Sequence, residues 1–145
     1  MSRKGESRTA VATDGKTILL VDDDGELRAA LTKLLQRNGY AVIGKPDAET
    51  ALAYINASNT LPDLVVTDVL LPGIRGTSLL SLLKRDFHDL PVIAVTAFGD
   101  WCELGEAMHE GAFQYLCKPF GSDEFLEVVH RALNAAAPAW RSSPP

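Results

Sequence analysis

Thr17-Ile18-Leu19-Leu20-Val21-Asp22-Asp23-Asp24 decides how the rest of the chain is read. Five residues, four of them large and apolar, run directly into three consecutive carboxylates. An apolar run this short and rich in Val, Ile and Leu predicts a strand buried on both faces, as in a parallel sheet. The acids then fall at the carboxyl end of the strand, where open α/β sheets bind their ligands. Carboxylates held this close repel, and one takes up a proton unless a cation neutralises the group. An all-oxygen ligand set suits a hard divalent ion such as Mg²⁺, with Mn²⁺ as an alternative. A plainer reading has Asp24 capping the following helix, with Asp22 and Asp23 favoured near its positive N-terminus.

Outward from this stretch, strands and helices alternate. Residues 1–16 are polar, aperiodic and contain Gly and Ser, which predicts a flexible lead-in. Leu27, Ala30, Leu31, Leu34 and Leu35 recur at helical spacing, and Asn38-Gly39 supplies a stop. Tyr40–Gly44 is a second expected strand. Asp47 can cap a helix that carries Ala48, Ala51, Leu52 and Ile55. Leu64-Val65-Val66 begins a third apolar strand that ends in another acid, Asp68. Pro72, Gly73 and Gly76 interrupt the chain before a leucine-rich helix from Thr77 to about Arg85. Pro91–Val95 is a fourth strand, ending at Thr96. Asp100 and Glu103 resemble a capping box for a helix through Met108 that stops at Gly111. Phe113–Cys117 is a fifth strand, ending at Lys118. Ser122 is placed to cap a last helix whose buried stripe is Phe125, Val128, Val129, Ala132 and Leu133. Residues 135–145, with three prolines, are expected to fray.

Five strand–helix alternations over residues 17–134 predict one domain with a parallel sheet and helices on both faces. The flavodoxin-like doubly wound order 2-1-3-4-5 is the natural architecture. Neither GxGxxG after the first strand nor GxxxxGK[ST] is present, so dinucleotide and P-loop readings lack their glycines. The formal net charge of −5, without a basic run, argues against a nucleic-acid surface. No apolar run approaches the roughly 20 residues that span a bilayer. Cys102 and Cys117 lack metal spacing and are read as reduced thiols of a cytoplasmic protein. His88, His109 and His130 show no ligand spacing and are read as surface residues.

Four of the five strands end in a polar residue: Asp22/Asp23, Asp68, Thr96 and Lys118. In a parallel sheet those ends share one edge, so residues distant in sequence converge there. Three carboxylates, one ammonium and one divalent cation balance in charge. Such a site accepts a phosphoryl group, whose oxygens need the cation, Lys118 and Thr96 as partners. A carboxylate can itself become an aspartyl-phosphate. The residues alone leave the acceptor open among Asp22, Asp23 and Asp68.

The same residues resemble the response-regulator receiver domain of two-component signalling. The resemblance is carried by Val21-Asp22-Asp23-Asp24, Asp68-Val69-Leu70-Leu71-Pro72-Gly73, Thr96-Ala97 and Tyr115-Leu116-Cys117-Lys118-Pro119-Phe120, in that order, and covers about Lys16 to Asn134. It implies that Asp68 takes a phosphoryl group from a histidine kinase or histidine phosphotransfer protein. Asp22, Asp23, Asp68 and the backbone carbonyl of Leu70 would hold Mg²⁺. Thr96 and Lys118 would bond phosphoryl oxygens, and Lys118 would pair with Asp68 beforehand, beside a cis Lys118–Pro119 bond. It further implies that Thr96 and Tyr115 switch a face spanning about Asp100 to Ala137 toward a downstream partner. The domain would catalyse only its own phosphorylation and dephosphorylation, as a monomer or weak dimer. Leu70 and Phe98 are apolar where family side chains tune the access of water to the phosphoryl group, so slow self-hydrolysis is expected. Two rival readings are a phosphorylation-independent interaction module on the same fold and a Mg²⁺-dependent phosphatase-like enzyme using Asp68.

Overall fold

The computed structural model describes residues 15–68, 76–87, 89–97 and 112–135. Along these run β1 (Thr17–Val21), α1 (Gly25–Arg37), β2 (Ala41–Lys45), α2 (Ala48–Ala57), β3 (Leu64–Asp68), α3 (Gly76–Asp86), β4 (Val92–Ala97), β5 (Gln114–Lys118) and α4 (Ser122–Ala135). All four strand pairings are parallel, and the strand order is β2-β1-β3-β4-β5. The fold is therefore the doubly wound α/β sheet that the alternation predicts. The helix expected over Asp100–Met108 and both chain ends lie outside the described residues.

The two-residue period of a strand sends neighbouring side chains to opposite faces, and here both faces are covered. Ile18, Leu20, Leu64, Val66, Ile93, Val95 and Leu116 pack with Leu31 and Leu35 of α1 and with Phe125, Val128, Val129 and Ala132 of α4. The alternate residues Leu19, Val21, Val65, Val92 and Ala94 meet Ala48, Ala51 and Ile55 of α2 and Leu79, Leu80 and Leu83 of α3. β1 is an interior strand that feeds both layers, with Ile18 to Val21 essentially inaccessible to water. That explains why its sequence is uniformly apolar instead of alternating.

The helix ends follow local chemistry. Asp24 caps α1, its Oδ1 accepting the amides of Glu26 and Leu27, both at 3.1 Å. Asp47 caps α2 by accepting the Thr50 amide at 2.8 Å. α1 stops in a Schellman turn: Gly39, at φ 91°, donates to the Gln36 carbonyl, and Tyr40 donates to the Leu35 carbonyl. This closing role takes Tyr40 out of the second strand, which starts one residue later than expected. Ala30 is exposed, so the apolar face of α1 is narrower than its spacing implied. At α4 the Gly121 carbonyl accepts the Phe125 amide, which puts Gly121, not Ser122, at the cap position. β4 starts after Pro91 and runs through Thr96 to Ala97.

Candidate functional site

Strand register determines which side chains meet. Ile18 pairs with Leu64 and Leu20 with Val66, so Asp22, just past the end of β1, stands level with Asp68 at the end of β3. Asp68 pairs with Val95, and Ala97 with Lys118, which carries the same edge on to β5. Residues 18, 20 and 22, 64, 66 and 68, and 116 and 118 all share one parity. It is the parity of the layer covered by α1 and α4. Asp22, Asp68 and Lys118 are therefore drawn from three strands to one point.

There the Lys118 Nζ donates to Asp68 Oδ2 at 2.7 Å and lies 3.2 Å from Asp22 Oδ2. Asp22 and Asp68 are 3% and 7% exposed, whereas Asp23 is open to solvent. One carboxylate oxygen from each of Asp22, Asp23 and Asp68 falls within a 4.8 Å cluster. That spread suits a single cation, and the donors are all hard anionic oxygens, so the residues fit Mg²⁺. The second oxygen of Asp22, Oδ1, accepts the Asp24 amide at 2.9 Å, which fixes the carboxylate in the turn after β1. The Lys118–Pro119 peptide bond is cis.

Burial pushes the Asp22 carboxyl above its ordinary value. The Asp24 amide and Lys118 pull it down but do not cancel the effect, and the charge of Asp68 adds to the rise. Burial also opposes the charge on Lys118, yet its bond to Asp68 and the charges of Asp68 and Asp22 outweigh it. The ammonium is held above its ordinary value. The site thus traps one positive charge between two buried negative ones.

Of the residues expected here from the sequence, Asp22, Asp23, Asp68 and Lys118 come together. Thr96 occupies the carboxyl end of β4, paired with Cys117. Tyr115 is half-buried on β5 against the layer of α2 and α3. Leu70 and Phe98 lie outside the described residues. Cys117 is a free, half-buried thiol, and His130 is exposed.

Two contributors escaped the sequence reading. Thr67, wholly buried, donates its hydroxyl to the Asp68 carbonyl at 3.1 Å. Arg28, in the second turn of α1, donates from Nη1 to the backbone carbonyl of Asp22 at 2.5 Å. An arginine following a cap by four residues ordinarily reads as a solvated helix position, and only the turn geometry reveals its target. Among the described residues no helix is long and apolar enough to cross a membrane.

The response regulator receiver domain family matches residues 18–130. The DNA-binding transcriptional regulator NtrC of Rhizobium meliloti is 39% identical over 119 residues, 82% of this chain and 24% of that protein. The C4-dicarboxylate transport transcriptional regulatory protein DctD of Pseudomonas aeruginosa is 42% identical over 119 residues, 80% of this chain and 25% of that protein. The chain spans about a quarter of the length of the curated relatives it matches. Among solved structures, NtrX from Brucella abortus in complex with ADP superposes with a TM-score of 0.81 at 31% identity, over 89% of this chain and 29% of that one. A putative response regulator from Chloroflexus aurantiacus gives 0.77 at 35% identity, over 83% and 98% of the two chains.

Proposed function

We propose that this chain, which belongs to the response regulator receiver domain family, works as a phosphoryl switch whose acceptor is Asp68. The observation that carries the proposal is the 2.7 Å contact of Lys118 with Asp68 beside two further acids at the same sheet edge. A carboxylate oxygen of Asp68 attacks phosphorus, and the bond from phosphorus to the donor breaks. For a phosphohistidine donor the imidazole nitrogen leaves with the electron pair and takes up a proton. Lys118, already within reach of Asp68, stays by the new group and neutralises an oxygen on it. Asp22, Asp23 and Asp68 would hold Mg²⁺, which when bound neutralises charge developing on the phosphoryl oxygens.

The donor is a histidine kinase or a histidine phosphotransfer protein, and the receiver carries out no chemistry on any other substrate. Aspartyl-phosphate brings extra negative charge and new acceptor oxygens to a place where one ammonium balanced two acids. Thr96 answers at the end of β4 and Tyr115 on β5. They shift the population of conformations on the face around β5 and α4 that a downstream partner reads.

The test is intact-mass measurement after incubation with Mg²⁺ and a small phosphodonor such as acetyl phosphate. A gain of one phosphoryl group, abolished by EDTA and by Asp68→Asn, is expected. Undiminished labelling of Asp68→Asn removes Asp68 from its role. No gain in a folded, Mg²⁺-binding protein leaves the phosphorylation-independent interaction module as the better account.

A further inference from the structure

We infer that Arg28 is a positioning residue for the acidic site: it locks the peptide unit between Asp22 and Asp23 and so presets the exposed Asp23 carboxylate for a divalent cation. The inference rests on the cation-binding reading above. Its starting point is an inequality among the three acids. Asp22 is tied through both carboxylate oxygens, to the Asp24 amide and to Lys118, and Asp68 is tied to Lys118. Asp23 makes no side-chain hydrogen bond to any described residue and stands in solvent. Its backbone alone therefore sets the point from which the carboxylate swings.

That backbone is held by Arg28. The Asp22 carbonyl belongs to the same rigid plane as the Asp23 amide, and the Arg28 Nη1 donates to it. The Asp22 amide on the other side donates to the Lys45 carbonyl of β2 at 3.1 Å. The turn is pinned at consecutive peptide units, by the sheet on one side and by a cationic side chain on the other. A charge-assisted donor makes the stronger bond of the two.

Arg28 needs a lane to reach this carbonyl from α1, and the sequence provides one at Gly44. A Cβ at position 44 would lie 3.4 Å from Cδ and 3.5 Å from Cγ of Arg28, so the arginine stem crosses β2 where a side chain is missing. Gly44 sits in a regular strand without a left-handed φ, so its backbone does not demand glycine. A Cβ there would already rest in van der Waals contact with the arginine stem, so the further methyls of a branched side chain would have to displace it. Gly44 and Arg28 form one device, a cleared path and the arm that uses it.

The experiment is calorimetric titration of Mg²⁺ into wild type, Arg28→Ala, Arg28→Lys and Gly44→Val, with the thermal midpoint of each metal-free protein measured alongside. Groups that orient metal ligands typically contribute about 10–100-fold in affinity, and a partly exposed carbonyl contact belongs at the lower end. Arg28→Ala is expected to weaken Mg²⁺ binding about 10-fold. Arg28→Lys, which keeps a charged donor without the fork, should recover part of the loss. Gly44→Val carries the sharper test, because valine suits a strand yet blocks the lane. It should weaken Mg²⁺ binding while the metal-free midpoint holds or rises.

In metal-free protein the amide resonance of Asp23 should move in Arg28→Ala and Gly44→Val alike. Unchanged Mg²⁺ affinity in both variants, beside a wild type that binds, overturns the role of Arg28 and leaves the acidic site standing. A wild type that binds no better than Asp23→Asn takes down the cation site and the inference together. If Arg28→Ala does not fold, Gly44→Val and Arg28→Lys decide the question by the same readings.

Discussion

Lys118→Met isolates the electrostatics of the site, because it keeps most of the apolar stem and removes the charge. The lysine side chain is 24% exposed, and the side chains of its partners Asp22 and Asp68, taken without their backbone, are 4% and 9% exposed, so the cluster is largely dry. Removing one member of a buried ion pair costs roughly 3–5 kcal/mol, because the remaining charge is left uncompensated. The partial exposure of the ammonium places Lys118→Met near the lower end, about 3 kcal/mol at neutral pH.

The pH dependence makes this prediction specific. Asp22 titrates above its ordinary 3.8 in the folded protein. The folded state therefore binds that proton more tightly than the unfolded chain, and burying the ionised form costs stability as pH climbs from 3.8 through the folded value. Lys118 is among the influences that hold this rise down, so the variant suffers a larger cost at neutral pH. Below 3.8 Asp22 is protonated in both states and needs no cation, so the gap between the two proteins should narrow. Lys118 itself titrates above its ordinary 10.5. Its contribution is complete below 10.5 and disappears as pH rises through the folded value, which closes the gap again on the alkaline side. Urea unfolding of both proteins at several pH values between 3.5 and 11 gives the curve directly. Added Mg²⁺ should stabilise the variant more than wild type, because the cation no longer competes with the ammonium for Asp22 and Asp68. A gap below about 1 kcal/mol at pH 7, or one that stays constant from acid to neutral pH, would refute the reasoning.

Two further outcomes follow from the fold. Phe125 is completely buried and stacks on Phe120 with ring centroids 5.4 Å apart. Phe125→Ala should therefore cost about 3–5 kcal/mol in denaturant unfolding, without changing the mass gained from a phosphodonor in whatever fraction stays folded. Asp24→Ala removes two bonds to the first amides of α1 and should cost about 1 kcal/mol. It should leave Mg²⁺ affinity within a few-fold of wild type, since the Asp24 amide that holds Asp22 is retained.

The fold was legible because β1, β3 and β4 are apolar on both faces, a pattern that only a two-sided parallel sheet requires. The site was legible because parallel strands deliver their last residues to one edge, so Asp22, Asp68 and Lys118 could be grouped without coordinates. Asp24 shows where two readings were compatible: it caps α1 with its side chain while its amide serves Asp22. What stayed hidden had no period and no spacing. Ala30 obeys the helical repeat but faces water, because helix rotation is set by the larger Leu31 and Leu35. Tyr40 reads as a strand former, yet Gly39 commits its amide to the helix stop. Arg28 acts through a backbone carbonyl, a target that carries no signature in the side-chain sequence. Thr67 is similar: its hydroxyl is satisfied within one residue, by the carbonyl of Asp68.

The separation between Asp68 and Lys118 also bears on how the chain is made. These partners are fifty positions apart in the chain, so during synthesis the first three strands emerge well before the ammonium that neutralises their acids. A nascent β1–β3 sheet would have to bury Asp22 beside Asp68 with no cation of its own, an arrangement opposed by repulsion. Closure of that edge would thus wait until β5 arrives, and non-local pairing of this kind slows folding. The same charges that meet at the finished edge would act, on the ribosome, as a latch against premature collapse. A chain arrested before Lys118 should remain sensitive to protease, and free Mg²⁺ should protect it by standing in for the missing lysine.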